Sequence, residues 1–381
     1  MAKKINISLV GGQPLPVYIP VINEQPDVVY LLHSDQTERQ ATNIKRLLAA
    51  KLPKTAVVLQ PLDTDLDNAA RQLNAFASVW CKGDCIATVN VAGGTKGWSI
   101  ICSNVFGSIG NATVIYIDQN NVVWDIKSST HSMANASVLS LDDYASLFGL
   151  ECKKTDFAEY TDADRLAAQQ LNKLHSKNQV ALGTMTGYLT GHTDKTSTNY
   201  YGKGGDKGSL AWNKTERCFT GFITDHQGNN AQEFTIGSPH CRHLMLNTGW
   251  FEFLVADLLS RWTLARKVWT NVRFSNPHGS NQNDINEVDV IVETTGGKLL
   301  YVECKTQVSK PTDIDKFNTV VKKTGGMGSK MIFVTKEPMK GDALNNIESL
   351  GIRRYVYRDI CRNENAFFGE LCDYFTSINE K

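Results

Sequence analysis

The 381-residue chain has no apolar run approaching the roughly 20 residues that a membrane-spanning helix requires, so no contact with a membrane is expected. Its opening MAKKINISLV contains neither an apolar signal core nor a cleavage site and leads straight into a strand-like stretch, which predicts a cytoplasmic protein. A disulfide framework is also missing. The nine cysteines are odd in number and scattered, a pattern that suits a reducing compartment. Nor is there an excess of either charge. Forty Lys and Arg balance 39 Asp and Glu, so any affinity for nucleic acid must come from a local groove rather than from a bulk field. Internal repeats and low-complexity tracts are not evident, and a 41% hydrophobic, 21% charged composition excludes general disorder. At about 150 residues per domain, the length predicts two or three domains, and the pattern along the chain resolves into two.

The first 150 residues alternate strand and helix signals. Short β-rich runs at Ile5–Val10, Val28–Leu32, Ala56–Leu59, Ile86–Val91 and Ala112–Ile117 are separated by helical spacing, notably at Thr37–Leu48 and Leu66–Trp80. Such alternation predicts right-handed βαβ units and hence an α/β domain of Rossmann-like architecture with a parallel sheet. Asn120-Asn121 reads as a turn into a terminal hairpin strand at Val122–Asp125. Residues 151–178 are polar and helix-prone and predict a helical connector. Val180–Ile236 shows short β-rich runs with Gly-rich turns and reads as antiparallel, with no role assignable to it. A second α/β unit then follows: a helix at Trp250–Trp262, strands at Glu287–Glu293 and Lys298–Lys305, a helix at Asp313–Lys322, a strand at Lys330–Val334 and a helix–strand pair up to Tyr357.

The sharpest chemistry lies in NEVDVIVETTGGKLLYVECKTQ, residues 286–307. Side chains alternate along a strand, so Glu303 and Lys305 share a face while Cys304 points away. A hairpin turning near Gly296 sets Asp289 opposite Glu303. Two carboxylates and an ammonium on otherwise apolar strands are expensive to bury without a counterpart. Asp289, Glu303 and the Cys304 carbonyl offer the oxygen ligands that suit Mg²⁺ or Mn²⁺. Such an ion would activate a water and neutralise a phosphodiester, with Lys305 orienting the attack. The plainer alternative is an edge hairpin with a surface salt bridge. Against it stand the apolar strands and Glu252, which lies on an apolar helix shortly upstream.

These residues resemble the core of the PD-(D/E)XK nucleases: Asp289, then Glu303-x-Lys305, followed by Gln307 and preceded by a helix whose Glu252 matches the family's additional catalytic carboxylate. No proline precedes Asp289, a departure from the motif that gives the family its name.

In the N-terminal half, NVAGGTKGWSI (residues 90–100) joins a strand to a helix. Glycines let a backbone approach a ligand, and amides at a helix N-terminus favour an anion. Gly93, Gly94, Thr95 and Lys96 therefore form a candidate phosphate loop. Gly11, Gly12 and Gln13 after the first strand, and Ser34 and Thr37 after the second, are expected at the same C-terminal sheet edge, where ligands of open α/β sheets bind. The segment is neither a GxGxxG dinucleotide fingerprint nor a Walker A loop.

A Rossmann-like domain carrying GGTKGW, joined to WFEFLVADLL…NEVDVIV…YVECKT, resembles the CARF (CRISPR-associated Rossmann fold) nucleases of type III CRISPR systems. The resemblance implies a CARF sensor over residues 1–150, the connector over 151–178, and over 179–381 a restriction-endonuclease-like PD-(D/E)XK domain whose first part is β-rich. It further implies a homodimer whose paired sensors bind a cyclic oligoadenylate, foremost cyclic tetra-adenylate. Binding would activate metal-dependent cleavage of RNA and DNA, chiefly of single strands, with nicking of supercoiled duplexes. A two-fold axis suits a ring with rotational symmetry. Lys96, Thr95 and the glycine amides then suit phosphates, and Gln13 and Asn90 suit adenine or ribose edges.

Two other readings compete with this one. One is a restriction or repair endonuclease that needs no messenger. The other is a non-catalytic nucleotide-sensing regulator, against which the intact Asp289, Glu303 and Lys305 argue. Cys81-x3-Cys85 and His240-Cys241-Arg242-His243 are set aside as metal sites, the first for want of a second pair at zinc spacing. Trp98 reads as packing under its helix. Glu287 is held as a reserve carboxylate on the strand of Asp289.

Overall fold

A computed structural model describes residues 2–80, 84–136, 139–246, 248–277, 286–307, 312–326 and 328–376. Cys81 lies outside them. Strands β1 (Lys3–Leu9), β2 (Val28–His33), β3 (Ala56–Pro61), β4 (Cys85–Asn90) and β5 (Ala112–Ile117) pair in parallel in the order β3-β2-β1-β4-β5. Two antiparallel strands, β6 (Val122–Asp125) and β7 (His131–Met133), extend the sheet. All six residues of β2 are buried, as expected of a parallel strand covered on both faces. The helices are α1 (Leu15–Glu24), α2 (Glu38–Lys51), α3 (Leu66–Trp80), α4 (Lys96–Gly107) and α5 (Leu141–Leu147). The strand order reverses between β1 and β4, so the crevice at a switch point opens between the Gly11-Gly12 and Gly93-Gly94 loops.

The second half contains β8 (Glu151–Asp156), α6 (Asp162–Lys177), α7 (Gln179–Gly191), β9 (Ser197–Tyr201), β10 (Lys207–Asn213), β11 (Cys218–Ile223) and β12 (Gln232–Gly237). Next come α8 (Cys241–Leu246), α9 (Gly249–Leu259), β13 (Ala265–Ser275), β14 (Asn286–Thr294), β15 (Leu299–Lys305), α10 (Thr312–Thr324) and β16 (Lys330–Thr335). The chain closes with α11 (Asp342–Ser349), β17 (Arg353–Val356), α12 (Tyr357–Arg362) and α13 (Glu364–Thr376). A six-stranded sheet runs β17-β16-β15-β14-β13-β8, and β9–β12 form a separate four-stranded antiparallel sheet.

Two stretches differ from the sequence reading. Residues 151–156, expected at the start of a helical connector, form β8 and pair with β13, so the helix begins only at Asp162. Val180–Gly191, read as β-rich, is helical: Asn178 accepts from the Ala181 amide as its N-cap, and Ala181, Leu182, Met185 and Leu189 fall on one buried face.

The halves share an apolar layer. Leu15, Val17 and Tyr18 of α1 join one continuous core with Phe274, Ile291, Tyr301 and Phe333 of the second sheet. Buried Glu293 ties them further, accepting from the Leu141 amide at the start of α5 (2.8 Å), from Trp269 Nε1 (2.7 Å) and from Arg266 (2.8 Å). Tyr144 donates to the Gly297 carbonyl at 2.6 Å. Among the described residues, no helix is long and apolar enough to cross a membrane.

Candidate catalytic and ligand sites

The hairpin β14–β15 pairs Val290 with Val302 and Ile291 with Tyr301, a register that continues to put Asp289 across from Glu303. Both carboxylates are 8% exposed. Lys305 Nζ lies 2.7 Å from Glu303 Oε1 and 3.9 Å from Asp289 Oδ2, and Asp289 Oδ2 accepts the Cys304 N–H at 2.7 Å. The Cys304 side chain packs into the core on the opposite side, with Val302 and Val334, as strand alternation requires.

Burial, and then the charge of Asp289, push the Glu303 carboxyl up to about 8. Burial raises Asp289 too, against the pull of Lys305 and the Cys304 amide. Glu252, reaching in from α9, is raised by burial and then by the charges of Asp289 and Glu287. Although burial alone would lower the Lys305 ammonium, Asp289 and Glu303 raise it. Three carboxylates facing one ammonium leave a deficit of two positive charges when all are ionised. A hard dication matches both that deficit and the all-oxygen donor set. Among the described residues, no group of three or more His, Cys, Asp or Glu side chains already stands at metal-ligating spacing. Glu287 lies at the rim, engaged with Arg273 at 3.2 Å.

At the C-terminal edge of the first sheet, the glycines are demanded by packing. A Cβ on Gly93 would strike the Leu9 carbonyl, and Gly94 has a φ of +73° with Trp98 beside it. Thr95 caps α4 by accepting the Trp98 amide at 3.2 Å, and Trp98 is buried with Nε1 donating to Asp63 O. Gly94, Thr95 and Lys96 are exposed, and the Gly93-Gly94 turn lies against Gly11 across the switch point. Ser34 and Thr37 spend their hydroxyls on a mutual capping box ahead of α2.

Asn90 departs from its expected place. It is fully buried, its Nδ2 donates to Pro16 O at 2.7 Å, and its Oδ1 accepts the Ala92 amide at 3.0 Å. It braces the start of α1 against the glycine loop rather than facing a ligand. The sequence reading missed a cleft of about 280 Å³ in which Gly12 and Arg39 meet Lys323 and Thr324 of α10. No local motif marks it, because its residues converge from both halves. The His240–His243 cluster disperses to separate partners: His240 to Asp164, Cys241 to Arg217 O and His243 to Asn271.

Residues 5–144 match the family model of the Card1 CARF domain. The N-terminal parallel-rich sheet is consistent with a CARF domain. The whole chain resembles Can2 from Sulfobacillus thermosulfidooxidans, solved in complex with cyclic tetra-adenylate, at a TM-score of 0.70 and 19% identity, covering 98% of this chain and 100% of that one. Protein VC1899 from Vibrio cholerae matches at a TM-score of 0.73 and 13% identity over 98% of each chain. A type III CRISPR defence DNA nuclease activated by cyclic oligoadenylate matches at a TM-score of 0.56 and 15% identity, over 95% of this chain and 52% of its own. No curated protein matches the sequence.

Proposed function

We propose that the protein is an endonuclease of type III CRISPR defence, switched on by a cyclic oligoadenylate, foremost cyclic tetra-adenylate. It cuts RNA and DNA with Mn²⁺ or Mg²⁺ at a PD-(D/E)XK centre, and it acts in the cytoplasm as a homodimer. The observation that carries the reading is Lys305 held between the buried carboxylates of Asp289 and Glu303, on a sheet that shares its core with a CARF-type domain. When bound, a hard dication supplies an activated water and offsets charge on the phosphoryl group. Asp289 and Glu303 would hold it through carboxylate oxygens, with the Cys304 carbonyl as a further donor and Glu252 as the additional carboxylate. Lys305 orients the water and faces the charge that develops on phosphorus.

At the other end, Lys96 and the amides of the Gly93-Gly94 loop meet a phosphate, while Gly11, Gly12 and Gln13 form the facing side. Two copies about a two-fold axis present these loops to both halves of a ring. The shared apolar layer gives ligand binding a physical route to β15, since packed cores switch between discrete arrangements instead of deforming gradually. The test is cleavage of labelled RNA and supercoiled plasmid with and without the ring. Cleavage indifferent to it returns the messenger-independent endonuclease.

A further inference from the structure

Helices α6 and α7 with the β9–β12 sheet take no part in the centre described above, yet two adjoining clefts open where they meet the end of β15. One, of about 450 Å³, is lined by His175, Gln179, His226 and Gln307; the other, of about 400 Å³, shares His175, Gln179 and Gln307 and reaches Thr306. Thr306 and Gln307 directly follow Lys305, so both clefts begin at the catalytic end of the strand. The neighbouring chain is locked to that end: Lys336 N–H donates to Lys305 O at 3.0 Å and Glu337 N–H to Thr306 O at 3.3 Å.

From there the Lys336 side chain crosses to α6. Its Nζ donates to His175 Nδ1 at 2.8 Å and to Ser176 Oγ at 2.9 Å, and lies 5.4 Å from the centre of the Trp250 ring. Among the described residues no carboxylate forms an ion pair with this ammonium. An ammonium can only donate, so His175 Nδ1 must accept and the ring proton sits on Nε2. Burial, reinforced by the Lys336 charge, brings His175 down to about 4, which keeps that neutral tautomer at neutral pH. Burial lowers Lys336 to about 8, leaving it mostly charged there. Nε2–H has no acceptor among the described residues. The outcome is an N–H donor of fixed orientation, backed by the Lys336 ammonium, in a cleft that starts beside Lys305 and is also lined by Glu337, whose charge acts on Lys336, and by Lys340.

We propose that this cleft binds the phosphodiester backbone of a single-stranded substrate next to the scissile bond, with His175 Nε2–H donating to a non-bridging phosphate oxygen and Lys336 positioning the ring. The proposal rests on the nuclease reading and gives α6 and α7 a role as the far wall of the substrate groove. Clefts of this size fall in the range of small-molecule sites, roughly 300–1,000 Å³. Trp250 is buried and offers no stacking surface, so the contact reads phosphate and not base. The phosphodiester is common to RNA and DNA, and both are bound.

The test is steady-state cleavage by the full-length protein, with cyclic tetra-adenylate and Mn²⁺, of labelled single-stranded RNA and DNA. His175→Phe keeps the ring but not the donor, whereas His175→Gln returns an N–H near the position of Nε2. The Phe variant should raise KM about tenfold on both substrates, as expected for losing a hydrogen bond to a charged group, with the loss falling on KM rather than kcat. The Gln variant should recover most of it. A single methylphosphonate, which removes one charged oxygen, should weaken wild-type binding at one position beside the cut, and the Phe variant should be indifferent there. An unchanged KM in a Phe variant that still cuts overturns the proposal and leaves the nuclease reading standing. So does a wild type with no sensitive flanking phosphate. A wild type that neither binds nor cuts either strand removes the nuclease reading and this proposal together.

Discussion

Raising the pH of the metal-free protein should weaken its second domain, and Glu303 is the group that decides it. In the folded chain, burial and the charge of Asp289 lift this carboxyl from 4.5 to about 8. Between those values the folded state keeps a proton that the unfolded chain has released, so stability falls as pH rises through the window. At about 1.36 kcal/mol per pH unit, the ceiling is about 5 kcal/mol, and sharing of protons with Asp289 and Glu252 lowers the realised amount. Glu303→Gln removes the titrating group but keeps its shape. The assay is denaturant unfolding of both forms in chelator, from about pH 5 to about pH 9. The wild type should lose a few kcal/mol relative to the variant across that range, and excess Mn²⁺ should restore it by binding the ionised site. A wild-type-minus-variant difference that stays constant from end to end refutes the electrostatic account of the centre.

Lys305→Ala and Asp289→Ala should each reduce cleavage at least about a hundredfold while activator binding, followed by calorimetry, stays intact; near wild-type cutting by either misplaces the site. Lys96→Ala should demand more activator for half-maximal activity yet approach wild-type cleavage at saturation, and a titration unchanged from wild type moves the sensor loop elsewhere. Asn90→Ala leaves the Ala92 amide without its acceptor beneath the glycine loop, at a cost of about 1–3 kcal/mol. It should lower the melting temperature and weaken activator binding, whereas an Asn90→Ala protein that binds as the wild type does makes the brace dispensable.

How far the sequence alone leads depends on whether a residue's role is local. Asp289, Glu303 and Lys305 are legible because the period of a strand and one hairpin turn dictate who faces whom. The parallel sheet is legible because Val28–Leu32 is a continuous apolar run and Ala112–Ile117 a β-branched one, both between helical spacings. Helix α1 escapes the reading because Pro14, Pro16 and Pro20 break the helical signal, although prolines at a first turn are compatible with a helix. β8 escapes it because ECKKTD is a charged edge strand, held by pairing with β13 and not by its own pattern. Asn90 and Gly93 illustrate a different limit. Residue type and position suggested a ligand loop, while only the packing of Pro16, Leu9 and Ala92 around them reveals bracing and close approach.

The central claim is that a ring-shaped nucleotide held at the first domain turns on metal-dependent cutting at the second. The most direct measurement incubates purified protein with labelled RNA or supercoiled plasmid and Mn²⁺ or Mg²⁺, with and without synthetic cyclic tetra-adenylate or cyclic hexa-adenylate. The account predicts cleavage only when metal and cyclic tetra-adenylate are both present. Equal cleavage without any ring, or a protein that binds the ring and never cuts, contradicts it.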